Sequence, residues 1–405
     1  MPPKKAISGV VLAMALGMAA SPVIPQANAL PGTPASHTQG VPIELRVPSD
    51  FDPSDYKAQG ERLVVEQPTA DLILTLSPRL QGQLESLLEQ YEVPAAGVVV
   101  MEPNTGKSLA YVNHQREPLA RDLVRSAHAP AASVFKIVTA AALLDRGISP
   151  ATRICYGGGF QRLTASDLED NPERDRSCAT LADAMGQSIN TVFAKLAVRH
   201  LDVSKLSRYA SAFGFGHQMP FDVPVEPSAI DIPAEQLEFA RTAAGFWHSY
   251  LSPLHGALMA ATVANAGQMP RAYIVQSMRY PCGEFLVPRE GKAFRSVISE
   301  STARVLSNMM QRTVSSGTSF RAFHDAKGQA FLPDTAVAGK TGSLSASDPY
   351  RSYSWWVGFA PADAPRIVVS ALVINKPSWR IKASFVAREA IRFAMQAPSK
   401  TVALR

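Results

Sequence analysis

The chain has few of the residues that would fix its chemistry by composition. Among its 405 residues are only three cysteines and eight histidines. No two cysteines stand in C-x-x-C spacing and no H-E-x-x-H cluster occurs, so neither a zinc site nor a metalloprotease helix is indicated. No metal and no other cofactor is expected. Charge of one sign is scarce as well: 40 Lys and Arg against 34 Asp and Glu leave a net +6. That charge is spread along the chain, which argues against a nucleic-acid partner. After Leu30 no run is long and apolar enough to span a bilayer, and no internal repeat is visible. The remaining proportions, 46% hydrophobic and 18% charged, belong to a folded chain with ample material for a core.

The N-terminus reads as a leader. Lys4 and Lys5 precede an apolar run over Ala6–Ala20, and Ala27-Asn28-Ala29 offers an A-x-A cleavage site, so a signal peptide over residues 1–29 is expected, cleaved after Ala29. The protein is then exported, to the periplasm or cell envelope. The alternative is an uncleaved N-terminal membrane anchor, although Pro22 and Pro25 cut the apolar run below spanning length. In an oxidising compartment Cys155 and Cys178 are placed to close a loop, worth about 3 kcal/mol on the chain-entropy account, with Cys282 left over. The alternative is three unpaired thiols.

Residues 30–70 carry Pro31, Pro34, Pro42, Pro48 and Pro53 among Ser, Thr and Gly, and read as an arm or linker. A catalytic-sized domain follows over 71–397. Leu72–Leu76 predicts a strand, Arg79–Tyr91 an amphipathic helix with Leu80, Leu84, Leu87 and Leu88 on one side, and Ala95–Met101 a buried strand. Pro103–Gly106 then turns the chain into a strand over Ser108–Val112. The middle, Ser133–Ala266, is mainly helical, with Ala-rich runs at 137–144, 181–198 and 255–266. Strands return at Thr335–Ala338, Ser354–Phe359 and Ile367–Val373, before a helix over Ala383–Met395. Strands at both ends of a helical middle predict an α+β fold, with one sheet assembled from distant segments and packed against a helical subdomain.

Three short motifs carry chemistry. Ser133-Val134-Phe135-Lys136 opens a helical run, and residues three apart on a helix share a face. A lysine amine so placed can take a serine proton, while the helix N-terminus faces a developing oxyanion. The second S-x-x-K, Ser54–Lys57, lies in the Pro-flanked arm with no helix behind it and is set aside. Ser188-Ile189-Asn190 is uninformative alone, since Ser and Asn often cap helices. Lys340-Thr341-Gly342-Ser343 is no P-loop, because the glycine required five positions before Gly339 is Asp334.

In this order S-x-x-K, S-x-N and K-T-G form the set found in penicillin-binding proteins and serine β-lactamases. The sequence resembles the penicillin-binding transpeptidase family over about Asp71–Asn375. Supporting phrases are Asp71–Leu76 leading to Gln81, Pro103–Gly106, Thr262–Gly267, Ser316-Gly317-Thr318 and Trp356–Pro361. The resemblance implies a central antiparallel sheet flanked by helices, with an inserted mainly helical subdomain. It also implies a D-alanyl-D-alanine acyltransferase site. Ser133 would be the nucleophile and Lys136 its base. Ser188 would relay a proton to the leaving amine, and Asn190 would position Lys136 and the substrate amide. Lys340 would add positive potential. Thr341 and Ser343, either side of Gly342, would hold the terminal carboxylate, and the backbone N–H groups of Ser133 and Ser343 would form the oxyanion hole. An ammonium on Lys340 about 4 Å from Lys136 would repel it by about 4 kcal/mol at an effective dielectric of 20, enough to lower its pKa by about three.

The implied partners are peptidoglycan stem peptides, β-lactams and cell-wall synthesis proteins. The implied function is a peptidoglycan D,D-transpeptidase; a D,D-carboxypeptidase, a serine β-lactamase and a non-catalytic penicillin-binding sensor remain alternatives. Against a lactamase, no Tyr-Gly-Asn triplet occurs, the Ser188 triplet carries no acid, and Glu226 is only a remote deacylating base. His128 has no triad partners in the sequence. Trp355 and Trp356 are expected as core and surface neighbours in a sheet, and Asp167–Arg176 as a solvated loop.

Overall fold

The computed structural model describes residues 46–159, 162–289, 293–378 and 380–396. The expected leader over 1–29 and the first part of the arm lie outside these residues. The second part of the arm is packed, which corrects the expectation of a linker up to residue 70. Lys57–Gln59 (β1) and Arg62–Val65 (β2) form a hairpin that joins Asp71–Leu74 (β3). Phe51, Leu63, Val64 and Val65 are buried. The prolines at 48 and 53 precede this hairpin, so they do not interrupt its ladder, and the run Leu63-Val64-Val65 supplies the β-branched, apolar residues that favour a half-buried strand.

Pro78–Gln90 (α1) starts where Ser77 offers its hydroxyl to the Leu80 N–H and Pro78 occupies the first turn, the usual chemistry of a helix start. Its face of Leu80, Leu84, Leu87 and Leu88 is buried, together with Gln81. Ala95–Met101 (β4) is buried along its whole length, and Ser108–Gln115 (β5) pairs with it. β5 is the outermost strand of its sheet. The Gln81 amide donates to the Tyr111 carbonyl and accepts from the Tyr111 N–H, both at 2.8 Å.

The helical middle begins with a 3₁₀ turn over Ala132–Phe135 that runs into Lys136–Asp145 (α2). Arg153–Tyr156 (β6) and Ser177–Thr180 (β7) form a hairpin in which Cys155 and Cys178 stand opposite each other and are disulfide-bonded. Cys282 is free and exposed. The Ala-rich run 181–198 forms two helices, Leu181–Gln187 (α3) and Asn190–His200 (α4), because Ser188 takes a left-handed conformation at φ 59° and ends the first. Val203–Phe213 (α5), Gln236–Ala243 (α6) and Pro253–Ala264 (α7) follow. The stretch Asp167–Arg176 is not a solvated loop throughout. Asp175 pairs with Lys195 of α4, whose side chain is fully buried, and Lys195 also reaches Asp170 and the Cys155 carbonyl, each at 3.1 Å.

Val275–Tyr280 (β8) and Gly283–Leu286 (β9) complete the first sheet, in the order β1-β2-β3-β8-β9. After Glu300–Ser315 (α8) come Ala338–Ser347 (β10), Tyr350–Ala360 (β11) and Ile367–Asn375 (β12), and Ala383–Met395 (α9) closes the fold. The strand expected at Thr335–Ala338 thus begins at its last residue. The main sheet runs β10-β11-β12-β4-β5, antiparallel throughout, so strands from both ends of the chain lie side by side.

The sheet's alternation sorts its side chains between two cores. Ala95, Val99, Trp355, Val357 and Leu372 face α7 and the helical middle, while Val98, Val100, Trp356, Val369 and Val373 face α1 and α9. Trp355 and Trp356 are each fully buried, a correction to the expected core-and-surface pair. Neither face of β11 meets solvent there.

Candidate active site

Ser133 sits in the 3₁₀ turn just before α2, and its neighbour Ala132 is held at φ 49°. A non-glycine residue there is strained by about 1–2 kcal/mol, so the turn needs support on several sides. The Trp355 indole donates to the Pro130 carbonyl at 2.8 Å, and the Ala131 N–H donates to the Ser249 carbonyl at 2.9 Å. Gly342 of β10 passes so close that a Cβ there would lie 3.2 Å from both the Ala131 oxygen and the Ala132 Cβ. The glycine of K-T-G is therefore the residue that lets β10 approach the turn carrying Ser133.

Lys136 is fully buried, and its Nζ lies 2.8 Å from Ser133 Oγ, 2.7 Å from Asn190 Oδ1 and 2.5 Å from the Ala244 carbonyl oxygen. Two of these partners only accept. Nζ thus donates to three oxygens, Ser133 Oγ, Asn190 Oδ1 and the Ala244 carbonyl; once deprotonated it keeps the last two contacts and is free to accept the Ser133 proton. Burial pushes the Lys136 amine well below the ordinary lysine value of 10.5, and the charge of Lys340 lowers it further. Desolvation is the larger cause and the Lys340 repulsion expected from the sequence the smaller.

Lys340 is also fully buried, and desolvation lowers its pKa to about 7. Its Nζ donates to Ser188 Oγ and to the Thr341 carbonyl, each at 2.9 Å. The left-handed conformation of Ser188 at the end of α3 turns its hydroxyl to Lys340. At such a helix end glycine is the usual occupant. Asn190 opens α4 without capping it, since its side chain is committed to Lys136. Ser188 does end α3, as the cap reading of Ser188-Ile189-Asn190 expects, and beyond that its hydroxyl meets Lys340 while the Asn190 side chain meets Lys136.

Alternation on β10 places Lys340 beside Val357 and Thr341 beside Trp356, on opposite faces. Thr341 nevertheless joins a polar rim, its Oγ1 lying 2.6 Å from Thr318 Oγ1. β10 is the edge strand of its sheet and Ser343 is exposed on it. The structure thus links Ser133, Lys136 and Asn190 directly, and Ser188, Lys340 and Thr341 directly, with Gly342 against the turn that carries Ser133.

No residue pattern marks the Ala244 carbonyl, since a backbone oxygen has no residue signature. The same holds for the Phe193 ring, whose centroid is 5.6 Å from Lys136 Nζ. His128 is exposed and pairs with Glu226 at 3.1 Å. Glu226 also accepts the Ala127 N–H at 3.0 Å, so its carboxylate is engaged beside residues 127–128. Among the described residues no group of His, Cys, Asp and Glu is placed to hold a metal ion.

Comparison with known proteins gives the same direction. The family described as Penicillin binding protein transpeptidase domain matches residues 96–395. Peptidoglycan D,D-transpeptidase PbpA of Mycobacterium tuberculosis is 28% identical over 338 residues, covering 74% of this chain and 66% of that protein. Stage V sporulation protein D of Bacillus subtilis is 27% identical, covering 75% of this chain and 50% of its own. The chain therefore spans two thirds or less of the curated relatives it matches. Among solved structures, penicillin-binding protein A of M. tuberculosis superposes with a TM-score of 0.65 at 26% identity, covering 81% of each chain. The D,D-transpeptidase domain of a peptidoglycan glycosyltransferase from Eggerthella lenta superposes with a TM-score of 0.66 at 25% identity, covering 80% of this chain and 83% of that one.

Proposed function

The chain belongs to the penicillin-binding protein transpeptidase family, and from that premise we propose that it is a peptidoglycan D,D-transpeptidase that forms an acyl-enzyme on Ser133. The observation that carries this reading is the buried Lys136 amine, 2.8 Å from the Ser133 hydroxyl with its other contacts to pure acceptors. A free lysine near pKa 10.4 is protonated at neutral pH and useless as a base. One lowered by burial and held within hydrogen-bond reach of a hydroxyl is a base ready for use.

In the reaction proposed, Ser133 Oγ attacks the carbonyl of the penultimate D-Ala of a stem peptide, and its proton passes to Lys136. The backbone N–H groups of Ser133 and Ser343 receive the oxyanion, a contact worth about 3 kcal/mol of barrier. The tetrahedral adduct then breaks its C–N bond. Lys136 passes the proton it took through Ser188, which Lys340 orients, to the departing D-Ala amine, and is neutral again. An acceptor amine next attacks the Ser133 ester, gives up a proton to the same base, and restores the serine. Thr341 and Ser343 hold the terminal carboxylate. A β-lactam enters by the first step and stops at the ester.

The relatives' names support the stem-peptide substrate, and the solved structure of an imipenem acyl-enzyme of penicillin-binding protein A from M. tuberculosis supports the β-lactam as a probe. Export by the 1–29 leader, with a periplasmic or envelope location, belongs to the same proposal. The test is intact-mass analysis after brief exposure to a β-lactam, on the wild type and on Ser133→Ala, followed by a D-Ala-D-Ala pentapeptide assay with and without an acceptor amine. A persistent adduct on Ser133 and an amine-dependent product are expected. Release of D-Ala without transfer identifies a carboxypeptidase, rapid loss of the adduct a lactamase, and no adduct at all a chain without this chemistry.

A further inference from the structure

Four contacts to the back of the nucleophile turn and the adjoining helix come from one short segment, residues 243–251. The Ala243 carbonyl accepts from Thr139 Oγ1 at 2.8 Å, the Ala244 carbonyl accepts from Lys136 Nζ at 2.5 Å, and the Ser249 carbonyl accepts from the Ala131 N–H at 2.9 Å. Tyr250–Leu251 pair with Ala129–Pro130 as a small ladder. Whatever fixes this segment fixes the base and the serine together.

The segment is fixed from α6, and the hub there is Arg241. Its Nε and Nη2 both donate to the Leu163 carbonyl, at 3.1 and 2.7 Å, while Nη1 meets Glu238 Oε1 at 2.5 Å. Glu238 Oε2 in turn contacts His248 Nε2 at 2.7 Å, and the Phe246 N–H donates to the Arg241 carbonyl at 2.9 Å. Leu163 lies in the loop that the Cys155–Cys178 disulfide closes. That loop reaches the other acceptor on Lys136 as well, because Thr191 Oγ1, next to Asn190, donates to the Gly158 carbonyl at 2.5 Å. One disulfide-closed loop therefore touches the start of α4, which carries Asn190, and the last turn of α6, which leads directly into Ala244.

We infer that Arg241 is a positioning residue for acylation: through Leu163 it ties the disulfide-closed loop to the segment that holds Lys136 and the Ser133 turn. Only a guanidinium offers enough donors in one plane to hold a carbonyl twice and a carboxylate at once. Without it the Leu163 carbonyl loses both donors and the segment loosens. Water then reaches Lys136 and moves its amine back toward the ordinary lysine range. The charged group acting on Lys136 is Lys340 from β10; the ionisable groups facing Arg241 are Glu238 and His248, with Arg162 lining the same pocket.

This inference rests on the acyl-enzyme reading above. Single-turnover acylation by a chromogenic cephalosporin, followed from about pH 6 to 10 on the wild type, Arg241→Gln and Arg241→Lys, separates the two. Arg241→Gln is expected to slow acylation about tenfold at neutral pH, with the rising limb of the profile moved up by about one pH unit. Arg241→Lys, which keeps the charge but gathers its donors on a single nitrogen, should fall between the two and is read in the same way if Arg241→Gln does not fold. A folded variant that melts earlier but keeps the wild-type limb makes Arg241 merely structural and overturns the inference. A wild type that is not acylated at all overturns the acyl-enzyme reading, and this inference falls with it.

Discussion

Replacing Gly245 by alanine perturbs the site without touching any side chain in it. Gly245 has φ 81°, and a Cβ there would lie 2.4 Å from the Ala132 oxygen and 3.0 Å from Ser133 Cα, where 3.4 Å is an ordinary contact. The left-handed backbone alone costs an alanine about 1–2 kcal/mol. Relief of the clash needs a displacement of about 1 Å, the difference between the built and the ordinary contact. Ala132 is itself at φ 49° and is held by neighbours on both sides, so the shift is passed to Ser133 rather than absorbed. A misplacement of about 1 Å at a reacting group costs about 10²-fold in rate. Gly245→Ala should therefore melt a few degrees lower and acylate about a hundred times more slowly. The assay is stopped-flow acylation beside a thermal melt on the same sample. Acylation within about twofold of wild type in the folded variant would refute the reasoning, since it would mean that the turn carrying Ser133 yields without moving the serine.

Further outcomes follow from the buried charges and the disulfide. Lys340 titrates near 7 in the folded protein against 10.5 when exposed, so between those values the unfolded chain binds a proton that the folded chain does not. Stability should rise with pH across that window, by at most about 1.4 kcal/mol per unit for this lysine, and Lys136 adds in the same sense. Denaturant unfolding of Lys340→Met between about pH 7.5 and 9.5 should show a flatter rise; an unchanged slope would remove Lys340 as the cause. Replacing Cys155 and Cys178 together by serine should lower stability by about 3 kcal/mol and abolish any response of the melting temperature to reductant. Lys195→Met leaves buried Asp175 with only Arg174, 3.5 Å away, as a cation, at a cost of up to about 3–5 kcal/mol. Adding Asp175→Asn should recover most of the loss in the denaturant midpoint, and no recovery would mean that the two residues are not coupled.

Most strands and helices were legible because their burial is simple. Ala95–Met101 and Ile367–Asn375 are continuous apolar runs, and Pro78–Gln90 carries both its stripe of leucines and its Ser-Pro start. The first sheet was harder to read. β8 and β9 mix polar and apolar residues without a clean alternation, and β8 pairs with Asp71–Leu74 while Glu284 reaches Arg62, so their strand character depends on partners about two hundred residues away. The break at Ser188 was hidden for a related reason: Ala-rich sequence on both sides favours one helix, and contacts with Lys340 and Lys136 decide otherwise. In the candidate site the three motifs announced their side chains, while their supports did not. Ala244 contributes a carbonyl, Gly245 an absence of Cβ, and Arg241 a reach to Leu163 that no local spacing encodes.

The amide of Gln81 has a consequence at the far side of the main sheet. An outermost strand presents a row of unpaired peptide groups, and such rows invite a second copy to zip on edge to edge. At Tyr111 the position is already taken, because the glutamine offers one acceptor and one donor in the arrangement of a neighbouring strand's peptide. Further along, Gln115 and Asn113 accept the N–H groups of Leu119, Ala120 and Leu123, which draws residues 119–123 over the rest of the strand. The rim of β5 is thus closed by a side chain and a loop instead of by another strand, and the sheet is guarded there against growth into fibres.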